Sequence, residues 1–165
     1  MSIYIAILNN FIQRTETDVL LVPFYGTKRI WINETANQLI HQSSGQHFKR
    51  KLVAYVKETI ILPGEFISFS KEKLLCFRDN VAQSITATIP ILLYEALNRN
   101  YHHIVIPLLR SHILSVQNSA EEMVGGIQHF FHFVQQHINI TIVLGSSQIS
   151  CLDFLQEQAV RVNKT

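Results

Sequence analysis

The sequence predicts an α/β domain of three layers, a sheet covered by helices on both faces. Short apolar runs alternate with segments of helical periodicity along the whole chain. Most of these runs are built from Ile, Val, Leu and Phe, as strands require when helices bury both sides of a sheet. With 165 residues, 47% of them apolar, the chain can bury one substantial core but not two ordinary ones. Residues 1–165 are therefore read as a single domain.

Strands are expected over residues 3–8, 19–23, 65–69, 74–77, 103–107 and 140–144. The first is marked by Ile3, Ile5 and Ile7, without a basic leader or a small-residue cleavage site. Ile32, Ala36, Leu39 and Ile40 set the stripe of a first helix, and Phe48, Leu52, Tyr55 and Val56 that of a second. A third helix is expected over 81–98, with a break or kink at Pro90, whose ring removes a backbone donor. Ser119 and Glu122 have the spacing of a capping box, placing the start of a fourth helix there. Its stripe is Met123, Ile127, Phe130, Phe131 and Val134. Gly125 and Gly126 inside that pattern suggest close helix packing. A last helix over 150–160 packs Leu152, Leu155 and Ala159.

Charged residues make up 16%, below the roughly 25% of soluble domains, so little disorder is expected. The formal charge is +2, and the one basic run, Lys49, Arg50 and Lys51, reads as a solvated helix face instead of a nucleic-acid stripe. Cys76 and Cys151 are too few for a disulfide or zinc framework and read as buried thiols of a reducing compartment, cytoplasmic or similar. No apolar run approaches the roughly 20 residues of a membrane span, and no membrane partner is expected. The Asn-x-Thr sites at Asn33 and Asn139 then carry no glycosylation meaning.

Several segments, in order, resemble the macro domain, the ADP-ribose-binding α/β module. Asp18-Val19-Leu20-Leu21 is similar to its Val-Asp-Ala-Ile-Val strand. Leu39-Ile40-His41-Gln42-Ser43-Ser44-Gly45 resembles its Ala-Ile-His-x-Ala-Ala-Gly helix end, and Pro63-Gly64-Glu65-Phe66 its Thr-Gly-Glu-Ala strand entry. Tyr94-Glu95-Ala96 followed by His103-Ile104-Val105-Ile106-Pro107 resembles the helix before its Ile-Ala-Phe-Pro strand. The resemblance spans roughly residues 3–155. It implies a mixed sheet of about six strands in an α/β/α sandwich, with the ends of the 19–23 and 103–107 strands adjacent at one crevice.

The positions that would hold ADP-ribose have changed. The adenine-binding Asp falls near Phe11, in Asn10-Phe11-Ile12-Gln13, and a phenyl ring cannot accept that hydrogen bond. The ribose asparagine falls at Tyr25. The first glycine loop is replaced by Ile32-Asn33-Glu34-Thr35, although glycine lets backbone amides approach phosphate without an intervening Cβ. The second loop, Ser-Thr-Gly-Ile-x-Gly in the family, reads Arg110-Ser111-His112-Ile113-Leu114-Ser115. The adenine-stacking aromatic falls at Gly145-Ser146-Ser147. Candidate crevice residues are thus Tyr25, Thr27, Lys28, Asn33, Arg110, Ser111, His112, Gly145 and Ser146. Arg110, His112, Thr27 and Lys28 offer phosphate contacts by side chain. Tyr25, Trp31, Ile113 and Leu114 are expected to narrow the crevice.

Other constellations read as structural. His129 and His132 are one turn apart with His137 beyond, but their face lacks the acidic or thiol ligands a zinc site needs. His102 and His103 point to opposite faces of a strand, and His41 sits inside a helix. Gly145-Ser146-Ser147-Gln148-Ile149 lacks the glycine of a nucleophile elbow. No catalytic residue, metal or cofactor is implied. The leading reading is a degenerate macro-like interaction or regulatory module that binds an unknown protein partner and is not an enzyme. A divergent ADP-ribose or nucleotide binder is the second reading, and an ADP-ribosyl hydrolase with a remade site the third.

Overall fold

A computed structural model of the chain describes residues 2–10, 17–26, 29–44 and 47–164. Its elements are β1 (Ser2–Ile7), β2 (Val19–Phe24), α1 (Glu34–Ser44), α2 (Phe48–Glu58), β3 (Phe66–Phe69) and β4 (Leu74–Arg78). There follow α3 (Ile85–Asn98), β5 (His103–Pro107), α4 (Val116–Phe133), β6 (Asn139–Leu144) and α5 (Leu152–Asn163). Among the described residues the strands form one six-stranded sheet in the order β1-β6-β5-β2-β4-β3. Every pairing is parallel except β3 with β4, so the sheet is mixed as expected.

The period of two along β2 divides the core. Leu20, Val22 and Phe24 face α1 and α2, packing with Ala36, Leu39, Ile40, Phe48 and Leu52. Val19 and Leu21 face the other layer, where Ile89, Leu93, Met123, Ile127, Phe130 and Leu155 of α3, α4 and α5 meet. Side chains buried on both faces explain why the strand runs are apolar without alternation. At the β1 edge the Asn163 amide completes the pairing, accepting from the Ile3 N–H at 2.8 Å and donating to its carbonyl at 3.0 Å.

Three helix starts depart from the sequence expectation. Helix α3 begins at Ile85, not near 81, because Ser84 is its N-cap and accepts from the Ala87 N–H at 3.1 Å. It runs uninterrupted through Pro90. One missing donor costs less than the burial of Ile85, Ile89, Leu92, Leu93 and Ala96 returns. Helix α4 begins at Val116, capped by Ser115, whose hydroxyl accepts from Asn118 N at 3.1 Å. The Ser119–Glu122 box does not form. Ser119 is buried one turn into the helix, and the Glu122 carboxylate instead accepts from the Ile85 N–H at 3.2 Å, serving the orphan donors of the neighbouring helix. A 3-10 turn over Ser146–Cys151 precedes α5, delaying its start from 150 to Leu152.

Helices α3 and α4 approach closely through Gly126, as the paired glycines suggest. A Cβ on Gly126 would lie 2.7 Å from Ile89 Cβ and 3.0 Å from the Thr86 carbonyl, the group that Pro90 leaves without a helical donor. Gly125 has ordinary room, with its nearest neighbour at 3.7 Å.

Candidate functional site

β2 stays in register with β4 through Phe24 but with β5 only at Val19 and Leu20. The C-terminal ends of β2 and β5 therefore part, and side chains from three strand ends enter the gap. Arg110, just after β5, adopts a left-handed backbone with φ 57°. Its carbonyl accepts from Ile113 N at 3.0 Å and Leu114 N at 2.8 Å, which turns the loop back on itself. Its side chain is 4% exposed and runs to Asp79, at the end of β4.

The guanidinium grips that carboxylate with both faces of its fork, Nε to Oδ2 at 2.8 Å and Nη2 to Oδ1 at 2.6 Å. It also donates to the carbonyls of Asn80 and Gln83 and to the Thr88 hydroxyl. Burial opposes its charge, but the bonds to Asp79 and the Asp79 charge outweigh that and hold its pKa above the ordinary value. The Tyr25 hydroxyl donates to Asp79 Oδ2 at 3.0 Å. Burial, followed by the Asp79 charge and hydrogen bond, pushes the Tyr25 phenol well up, so it stays protonated.

Tyr25, bonded to Asp79, is also one of three clustered rings. Tyr25 and Trp31 exchange backbone hydrogen bonds at 3.0 Å and stack with centroids 4.6 Å apart. His112 stands edge-on to both, 4.7 Å from Tyr25 and 4.5 Å from Trp31. Burial against those rings, helped by the Arg110 charge and opposed by Asp79, lowers its pKa. Gly26 must lack a side chain, since its φ is 91° and a Cβ would lie 2.0 Å from the Arg29 carbonyl.

A second network joins the loops. Gln148 Oε1 accepts from Gly145 N at 2.9 Å and from the Thr35 hydroxyl at 3.4 Å, while its Nε2 donates to Ser111 Oγ at 2.9 Å. One buried amide thus connects the loop after β6, the start of α1 and the loop after β5. Gly145 comes so close to α1 that a Cβ there would lie 2.5 Å from Thr35 Oγ1.

The structure therefore brings together Tyr25, Arg110 and His112 in one cluster and Ser111 with Gly145 in another. Asn33 lies at the start of α1, where its Oδ1 accepts from Ala36 N at 2.8 Å; its Nδ2 is buried without a partner among the described residues. Ser146 is exposed at the start of the 3-10 turn. Thr27, Lys28 and Phe11 lie outside the described residues. Arg110, expected to offer a phosphate contact, has its fork engaged with Asp79, two carbonyls and the Thr88 hydroxyl. Trp31 sits in the ring cluster, whereas Leu114 packs toward the α3–α4 core and Ile113 is 55% exposed.

Asp79 and Gln148 were not singled out by the sequence. Asp79 directly follows the end of β4 and Arg110 comes shortly after the end of β5, and that shared strand-end position is the available signal. Elsewhere, His129 and His132 each stand edge-on to Phe133 at 5.0 Å. Among the described residues no group of three His, Cys, Asp or Glu could hold a metal ion. No helix there is long and apolar enough to cross a membrane.

The splayed strand ends, the strand order and the flanking helices define a macrodomain fold. An aspartate-to-alanine variant of the Oceanobacillus iheyensis macrodomain is similar over 98% of this chain and 92% of its own, with a TM-score of 0.68 and 14% identity. A glycine-to-valine variant of that macrodomain with ADPR is similar over 98% and 93%, with a TM-score of 0.65 and 12% identity. The same macrodomain with ADP gives 93% and 89%, a TM-score of 0.61 and 11% identity. No family model and no curated protein sequence matches the chain.

Proposed function

We propose that this macrodomain-fold chain, residues 1–165, is a non-enzymatic interaction or regulatory module whose ligand crevice is filled by its own side chains. The observation that carries this reading is the buried Asp79–Arg110 pair joined through Tyr25 to the Trp31 and His112 rings. A dinucleotide entering between β2 and β5 would have to displace the rings and face the buried Asp79 carboxylate. Glu34 in the first turn of α1 already places a negative charge at the positive helix N-terminus, where a phosphate would otherwise be attracted. Two of the polar groups there are engaged within the chain: Tyr25 donates to Asp79, and Ser111 accepts from Gln148. Buried Cys76 and Cys151, both free thiols, fit a reducing compartment.

The neighbours with ADPR and ADP support a second reading, a divergent ADP-ribose or nucleotide binder. The unpartnered Asn33 Nδ2 and a Trp31 that is 40% exposed favour it. Calorimetric titration and thermal unfolding with ADP-ribose separate the two. A ligand at a hundred times its dissociation constant adds about 2.7 kcal/mol of stability. The filled-crevice reading expects no heat, no shift in Tm and no release of ADP-ribose from a modified protein. Saturable binding establishes the second reading, and turnover overturns the non-enzymatic one.

A further inference from the structure

At the end of α2 the chain presents apolar side chains to solvent in a fixed arrangement. Ile60 is 86% exposed, Leu62 56% and Tyr55 43%. Between the first two, Ile61 points inward and is 9% exposed in the core beneath α1 and α2. The segment is also tied by its backbone. Thr59 N donates to the Tyr55 carbonyl at 3.0 Å, Glu65 N to the Leu62 carbonyl at 3.0 Å, and Gly64 N to the Arg78 carbonyl at 2.7 Å. Ile60 and Leu62 are thus held outward on one side of an anchored segment.

The same element concentrates positive charge. Residues 48–62 hold Lys49, Arg50, Lys51 and Lys57 against Glu58, four cations less one anion or +3, whereas the whole chain is +2, leaving −1 for the rest. Lys49, Arg50 and Lys57 are exposed, and Lys51 is paired with Glu72 at 2.7 Å. Beyond Glu58 and Glu72, the nearby exposed acid is Glu65.

We infer that the outer face of α2 and the segment that follows it dock on an anionic phospholipid surface, with Ile60 and Leu62 entering the interface and Lys57, at the near end of α2, and Arg50 and Lys49, in its first turn, meeting the headgroups. A projecting apolar pair suits a fluid interface that moulds around it, and the charge excess of α2 complements anionic lipid. Spanning the bilayer is not required. None of these docking residues takes part in the Asp79–Arg110–Tyr25 cluster, and vesicle binding reads nothing of ligand binding there.

The experiment is co-sedimentation of the full chain with vesicles of phosphatidylcholine alone or mixed with phosphatidylserine, at low and high salt. Binding is expected on the mixed vesicles only, weakened by salt. Ile60→Asp/Leu62→Asp should abolish it, and Arg50→Glu/Lys57→Glu should lower it on the order of tenfold or more. All four positions are exposed, and unchanged circular dichroism and Tm verify that the variants fold. Absence of binding to the phosphatidylserine vesicles overturns the inference. Undiminished binding by Ile60→Asp/Leu62→Asp does so as well, since it would leave only charge attraction.

Discussion

Arg110 holds Asp79 in a bidentate ion pair, with Nη2 to Oδ1 at 2.6 Å and Nε to Oδ2 at 2.8 Å, across the gap between the ends of β4 and β5. β2 joins through the Tyr25 hydroxyl on the same carboxylate. The ends of β2 and β5, which backbone pairing leaves apart, are therefore tied together with the end of β4 by one polar knot. What closes the sheet also occupies the crevice, so the stability and the ligand chemistry of this end are coupled.

Breaking that knot from one side should be costly. Arg110→Met leaves a buried carboxylate without its partner and is expected to destabilise by about 3 to 5 kcal/mol. Asp79→Leu combined with Arg110→Met removes both charges and should recover part of that loss, the remainder reflecting the Tyr25, Asn80 and Gln83 groups left behind. Urea unfolding of the two variants reads the difference, and a cost below about 1 kcal/mol for the single variant would contradict a buried pair.

Neighbouring glycines of α4 should respond with opposite sign. Gly125→Ala adds a methyl with 3.7 Å of room and is expected to stabilise by up to about 1 kcal/mol through helix propensity. Gly126→Ala places its methyl 2.7 Å from Ile89 Cβ, and the overpacking, about 1 to 3 kcal/mol, outweighs that gain. Thermal unfolding of the pair decides it. Equal shifts would mean that α3 and α4 pack less closely than the structure has them.

The central strands were legible because they are buried on both faces, so composition alone marks them; β5 is found over His103–Pro107 as expected. Helix starts were less legible. Ser119 and Glu122 have capping-box spacing, but Glu122 serves Ile85, a residue 37 positions away, and local spacing cannot reveal that. The site divides similarly. Tyr25, Arg110 and His112 were marked as replacements within a recognised frame. Asp79 is 54 positions from Tyr25, and Gln148 is 113 from Thr35, so their roles exist only once the strand ends meet.

Two groups at the crevice give stability opposite pH dependences. His112 has a lowered folded pKa, so between that value and the ordinary imidazole value, about 6.5, the unfolded chain binds more protons. Stability is thus expected to fall as pH drops through that window, modestly because the ring is partly in water. Tyr25 has a raised pKa, so its contribution is full below about pH 10 and declines as pH rises beyond it. Urea midpoints against pH should flatten on the acid side in His112→Gln and on the alkaline side in Tyr25→Phe. Unchanged slopes would exclude these residues as the source.

The Gly145–Thr35 approach can be tested as a coupling. Gly145→Ala must push its methyl against a hydroxyl 2.5 Å away, in a place where Gln148 also holds Thr35 and Ser111, so neither loop yields easily. A loss of about 1 to 3 kcal/mol is expected, from overpacking and strain on the Gln148 bonds. Thr35→Ala removes the obstructing oxygen and forfeits only a long hydrogen bond of 3.4 Å. The double variant should therefore be more stable than the sum of the singles implies, with a coupling of about 0.5 to 3 kcal/mol. A double-mutant cycle by urea unfolding measures it. Strict additivity would show that the loop after β6 and the start of α1 do not touch, and would remove the second closure of the crevice.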